Sequence, residues 1–155
     1  MSASTPEERL AELGIALPPA PPAVGAYVPW QRAGDLVTTS FQLPWVGDEL
    51  AFVGRVGEDV SVEQGYEAAR ICALNGIAQL KDAAEKLSAV RVVRLEGHVG
   101  CTPEFEEIPQ VLNGASDLVN DVFGEGGAHA RTALGHMVMP LRVPVMIGFL
   151  AEVTN

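Results

Sequence analysis

VLNGASDLVNDVFGEGGAHARTALGH, residues 111–136, decides how this chain is read. Leu112, Ala115, Leu118, Val119, Val122 and Phe123 recur every three or four positions, the spacing of an amphipathic helix, and Gly124 closes it. Beyond the helix, Arg131 stands among glycines, alanines and histidines with no acidic residue within five positions on either side, an unusual setting for a charged side chain. A guanidinium at a strand start can make two parallel hydrogen bonds to a carboxylate. Buried without a partner it is costly, so Arg131 needs an anion from this chain, a neighbouring subunit or a ligand. Spacing leaves an intersubunit ion pair and a ligand clamp equally open.

Upstream, a second long helix starts at Ser61, with Gln64 three residues on as a capping box. Tyr66, Ala69, Ala73, Ile77 and Leu80 form its apolar edge, and the pattern runs to about Leu87. Between the helices AVRVVRLEGHVG, residues 89–100, alternates as a strand, and Val90, Val92 and Leu95 predict a bulge or register shift. Before the first long helix, AYVPWQ and AGDLVTTSFQLP read as two strands turning at Ala33-Gly34-Asp35, and ELAFVGRVG as a short third. Two more strands, about Thr132 to Met139 and Val143 to Val153, finish the chain.

The order is β-β-β-α-β-α-β-β, an α+β arrangement in which two long helices cover one face of a mixed sheet. The last strand, VPVMIGFLAEV, is apolar on both parities, which predicts burial of both its faces. Two helices cover only one of them, so a second copy is expected to cover the other. Residues 1–24 read as an arm: Thr5 caps a short helix with Pro6, Glu7 and Glu8 in its first turn, and LPPAPPAVG continues as a stiff connector. Residues 25–155 are the domain proper.

Composition narrows the function. The chain of 155 residues is 48% hydrophobic and 19% charged, enough for one compact core. Lys and Arg number 10 against 20 Asp and Glu, a net charge of -10 that opposes binding to nucleic-acid phosphates. Cys72 and Cys101 have no CxxC partner and read as idle thiols in a reducing cytoplasm. MSASTPEERL lacks the features of a secretory signal, and no apolar run approaches the length of a membrane span. His98, His129 and His136 form no HxH or HxxxH pair with an acid, so no metal is expected. No GxSxG, P-loop or dinucleotide fingerprint stands in the chain, and no cofactor is expected. On a strand His129 and Arg131 share a face and His136 points the other way.

These residues resemble the RidA (YjgF) family of reactive-intermediate deaminases over roughly residues 25–153. Gly25-Ala26-Tyr27, Ala33-Gly34-Asp35-Leu36-Val37 and Ser40-Phe41-Gln42-Leu43-Pro44 are similar to the family's GPYS…AGDLVFVSGQLP. Asn75 stands in its AxxNxxxxL run, Ala130-Arg131-Thr132 matches its PARS element, and Met139-Pro140 takes the place of Leu-Pro. VLNGASDLVNDVFGEGGAHAR is especially close to a longer-armed branch. The resemblance implies a chorismate-mutase-like fold, a homotrimer with clefts between subunits, and hydrolysis of enamines or imines of 2-oxo acids to the ketoacid and ammonia. It implies that Arg131 clamps the substrate carboxylate and that Tyr27 and Ser40 line the cleft, offering hydroxyls to substrate or water; Phe41, beside Ser40, and His129, on the strand face of Arg131, are expected to contact the substrate as well.

The departures are as informative. The family's closing strand reads VEIEAIA, and its second glutamate is credited with handling the water. Met146 and Gly148 replace both acids here, and Glu152 lies further along the same strand face. Phe41 replaces a glycine and is expected to narrow the pocket; Ala133 stands where a cysteine is common, and Pro109 where an asparagine is. Two readings remain open: an imine deaminase working without the usual carboxylate, or a trimeric carboxylate-binding protein that has lost hydrolysis. The endoribonuclease activity claimed for some relatives is disfavoured by the acidic charge.

Overall fold

The computed structural model describes residues 4–154. Strands β1 (Trp30–Ala33) and β2 (Leu36–Thr39) form a hairpin at Gly34, whose φ of 61° is the left-handed turn geometry that glycine tolerates. Strands β3 (Trp45–Val46) and β4 (Glu49–Leu50) form a second, separate hairpin around Gly47. Helix α2 (Val62–Ala84) comes next, then β5 (Val90–Gly100), helix α3 (Ile108–Phe123), β6 (Ala130–His136) and β7 (Val145–Val153). The main sheet has five strands in the order β1-β2-β7-β5-β6. Its pairs are antiparallel except β5 and β6, which α3 joins as a parallel crossover.

The helices form where the sequence dictates. Ser61 and Gln64 exchange hydrogen bonds at the start of α2, and Gly124 ends α3 with a φ of 58°. The predicted face of α3 is buried throughout, and Ala69, Ala73, Ile77 and Leu80 of α2 join it in the core. The register shift expected in the strand between the helices lies between Val92 and Arg94. Of ELAFVGRVG only Glu49 and Leu50 are in a strand, and their partner is the Trp45–Val46 pair. Its glycines explain the shortfall: Gly54 and Gly57 have φ of 119° and 93°, which no regular strand accommodates.

Both long helices pack on one face of the sheet. Val145, Ile147, Phe149, Ala151 and Val153 of β7 point toward them, and Gly76 of α2 leaves the space that the Phe149 ring fills. The helices also touch each other closely, since Gly114 rests on the backbone of Tyr66. On the opposite parity of β7 only Gly148 is buried in one chain, while Met146, Leu150 and Glu152 stay half-exposed. In the single chain the two long helices thus cover one face only, as expected, because both lie on the same side.

Helix α1 (Pro6–Glu12) has the predicted cap, with Thr5 and Glu8 bonded reciprocally. It packs on its own chain. Leu10 is buried, the Glu7 carboxylate accepts from the Leu87 amide at 2.7 Å, and Gln79 donates to the Pro21 carbonyl at 2.6 Å, tying the proline segment to α2.

Candidate functional site

Strand β6 is one edge of the sheet, and its register with β5 sets where Arg131 goes. Arg131 pairs with Leu95, a fully buried residue under the helices, so it shares the helix-side face. There one guanidinium nitrogen, Nη1, donates to Asn113 Oδ1 at 2.8 Å and to Ser116 Oγ at 3.2 Å, both on α3. Among the described residues no carboxylate lies within ion-pair distance of Arg131. Two neutral acceptors hold one nitrogen and position the group. Its charge remains unneutralised and half-exposed.

His129 joins this cluster, as its shared parity with Arg131 predicts. Its Nε2 lies 3.0 Å from Ser116 Oγ and its Nδ1 makes a short bond to the Gly127 carbonyl. A carbonyl only accepts, so Nδ1 carries a proton, and the tautomer this sets presents a lone pair at Nε2. Ser116 then donates to His129 and accepts from Arg131. His136 faces the other way, again as predicted, with its Nε2 at 2.6 Å from His98 Nδ1.

The opposite face carries the second group of residues. Between Thr38, paired with Leu150, and Gln42, paired with Ile147, β2 spends four steps where β7 spends three. The extra residue is a β-bulge. The Phe149 amide left by the interruption is satisfied by Thr39 Oγ1 at 2.9 Å. The bulge lays Phe41 over Gly148: a Cβ on Gly148 would lie 3.1 Å from the Phe41 ring. The same ring meets His98 edge-on at a centroid distance of 5.0 Å. Positions 41 and 148 are thus in contact, the aromatic ring standing where a side chain on residue 148 would go.

Ser40 and Tyr27 lie on that side of the fold. The Ser40 hydroxyl donates to the Val28 carbonyl at 2.7 Å, and the exposed Tyr27 hydroxyl accepts from the Val24 amide at 3.3 Å. Both belong to the β1–β2 end of the sheet, and Arg131 to the opposite edge. One chain does not bring Arg131 together with Tyr27, Ser40 or Phe41. Glu152 is no substitute for the missing acid, because it is engaged by Arg91 at 2.9 Å. The acid beside Gly148 is Glu96, directly across on β5.

Sequence reading missed Asn113, Ser116 and Glu96. The first two were findable, since three residues apart on α3 they share one edge of an otherwise apolar helix. Glu96 needed the pairing of β5 with β7. A cavity of about 570 Å³ lies elsewhere, between the proline segment, the β3–β4 hairpin and Ile71, Leu74 and Asn75 of α2. Its lining is mostly apolar and excludes Arg131. Asn75 is structural there, donating to the carbonyls of Leu43 and Trp45 at 3.1 and 3.0 Å.

Residues 7–153 match the family described as "YjgF/chorismate mutase-like, putative endoribonuclease". The chain belongs to this family. The match extends into the segment expected as an arm. "Protein TCP17" of Trypanosoma cruzi is 39% identical over 148 residues, which cover 94% of this chain and 92% of that protein. A crystal structure from Shewanella oneidensis, described as a "putative endoribonuclease", is 40% identical with a TM-score of 0.94, covering 97% of this chain and all of that one. Atu1372 of Agrobacterium tumefaciens, of unknown function, is 42% identical with a TM-score of 0.89 over 96% of this chain and 92% of its own. TdcF of E. coli, solved with bound serine, shares the fold at 17% identity and a TM-score of 0.65, over 88% of this chain and 94% of its own.

Proposed function

We propose that this chain hydrolyses enamine or imine intermediates of 2-oxo acids to the ketoacid and ammonia, in clefts completed between copies of a homotrimer. The observation that carries the reading is Arg131, a half-exposed guanidinium fixed by Asn113 and Ser116 and lacking a carboxylate partner among the described residues. Such a group is preset for a substrate carboxylate, and orienting an already reactive imine beside water is much of the catalytic task. Assembly is supported by the uncovered sheet face, where Leu36 and Leu134 are exposed and Met146 and Leu150 half-exposed. Because β1 and β6 are opposite edges, edge-to-edge packing would set Arg131 of one copy near Tyr27, Ser40 and Phe41 of the next. A polar reaction in water, with these residues, calls for neither metal nor cofactor. A cytoplasmic location fits the two free thiols.

Phe41 over Gly148 favours a second reading, a protein that binds small carboxylates without hydrolysing them. RNA cleavage, which the names of relatives suggest, is opposed by the net charge of -10. The test is ammonia release from 2-iminopropionate generated in situ by an amino-acid oxidase. Wild type is expected to exceed background and Arg131→Ala to fall to it, a loss of about a hundredfold or more. A silent wild type that still binds pyruvate in titration calorimetry, through Arg131, would replace the first reading by the second.

A further inference from the structure

The deaminase reading leaves a vacancy: which group takes the proton from the attacking water, now that position 148 is glycine? Glu152 is occupied by Arg91. Glu96 lies beside Gly148 on the open face, whereas Arg131 reaches α3 on the other. Within one chain, the only proton acceptor hydrogen-bonded into the Arg131 cluster among the described residues is the imidazole of His129, through Ser116.

We propose that Ser116 and His129 form the proton relay that replaces the missing final-strand carboxylate; the proposal rests on the deaminase reading. The geometry has the parts such a relay needs. The Gly127 carbonyl fixes the proton on Nδ1, so Nε2 is an acceptor. Ser116 Oγ lies 3.0 Å from Nε2 and 3.2 Å from Arg131 Nη1, two hydrogen bonds in series from the carboxylate clamp. The Ser116 oxygen keeps a second lone pair for an incoming water. Ser116 is only 9% exposed, which limits bulk water, while His129 is half-buried and reachable.

The step balances without a further reactant. The imine reacts in its protonated, iminium form: water oxygen bonds to the carbon, and the C=N π pair moves to nitrogen. The water proton passes to Ser116 Oγ as the Ser116 proton passes to His129 Nε2. The relay then runs backward, protonating the amine of the tetrahedral adduct. The C–N bond breaks, ammonia leaves with that electron pair, and loss of the remaining hydroxyl proton to solvent leaves the carbonyl.

The test is steady-state ammonia release from 2-iminopropionate by the full-length wild type, His129→Gln, His129→Gly, Ser116→Ala, Ser116→Thr and Glu96→Gln, each checked by thermal unfolding. His129→Gln is expected to lower kcat about a hundredfold with KM nearly unchanged, the span of general-base catalysis. Added imidazole should restore His129→Gly in proportion to its concentration, and Ser116→Thr should retain activity that Ser116→Ala loses. A merely structural role for His129 predicts no response to imidazole. Wild-type kcat in His129→Gln, no response of His129→Gly to imidazole, or loss confined to Glu96→Gln overturns the relay while leaving the deaminase reading standing. A wild type that releases no ammonia overturns the deaminase reading itself, and the relay with it.

Discussion

The two faces of the main sheet are built on opposite terms. On the helix side, Val145, Ile147, Phe149 and Ala151 are sealed under α2 and α3, and the helix glycines Gly76 and Gly114 leave no slack. On the other side, Phe41, Met146 and Leu150 share the surface with Glu96, His98 and His136. The first face is a core whose identity is volume. The second is a surface that the chain's own helices leave uncovered.

Neighbouring residues of β7 give the sharpest contrast. Phe149→Ala empties the space against Gly76 and should cost about 3–5 kcal/mol of unfolding free energy, read by denaturant titration. Leu150→Glu, one step along on the other face, should leave the single-chain fold close to wild type by far-UV circular dichroism. It should shift the sedimentation mass toward one chain. If Leu150→Glu unfolds the protein as Phe149→Ala does, the division into a sealed face and an open one is wrong.

A smaller effect tests the contact between positions 41 and 148. Gly148→Glu alone must push the Phe41 ring aside and should lose about 1–3 kcal/mol. Phe41→Gly opens the space, so the double variant should recover most of that loss. The two changes should be non-additive, as expected of residues in contact. Additive losses would mean that the ring and the glycine are independent.

Sequence legibility divides along the same line. The helix face was readable because burial imposes a period: the α3 stripe, the α2 capping box and the β5 register shift are all local patterns. Arg131 and His129 were readable as a pair because strand parity is local too. The open face was not. Phe41 and Gly148 stood out singly, but their contact depends on a bulge created by how Gln42 pairs with Ile147, 105 positions away. Glu96 was invisible for the same reason, since its nearness to Gly148 is a cross-strand fact. Glu152 was legible as an acid further along the same strand face, but only the fold brings Arg91 against it.

The smallest expected effect concerns acid. Burial first, and then the adjacent His136 imidazole, lower the His98 pKa below its ordinary 6.5, against an opposing pull from Glu96. The pair shares one hydrogen bond between ring nitrogens, which needs a lone pair on one of them, and two imidazolium rings at that separation would also repel. As pH falls through the ordinary histidine range, the unfolded chain takes up its proton before the folded one does. The stabilisation is therefore whole above that range and declines below it until the lower, folded value is passed. His98→Gln removes this difference and leaves the carboxylate titrations common to both proteins. Between about pH 8 and about pH 5 the melting temperature of wild type should fall further than that of His98→Gln. Parallel curves would mean that His98 is no more reluctant to charge on the open face than in the unfolded chain, and that acid sensitivity belongs to the carboxylates alone.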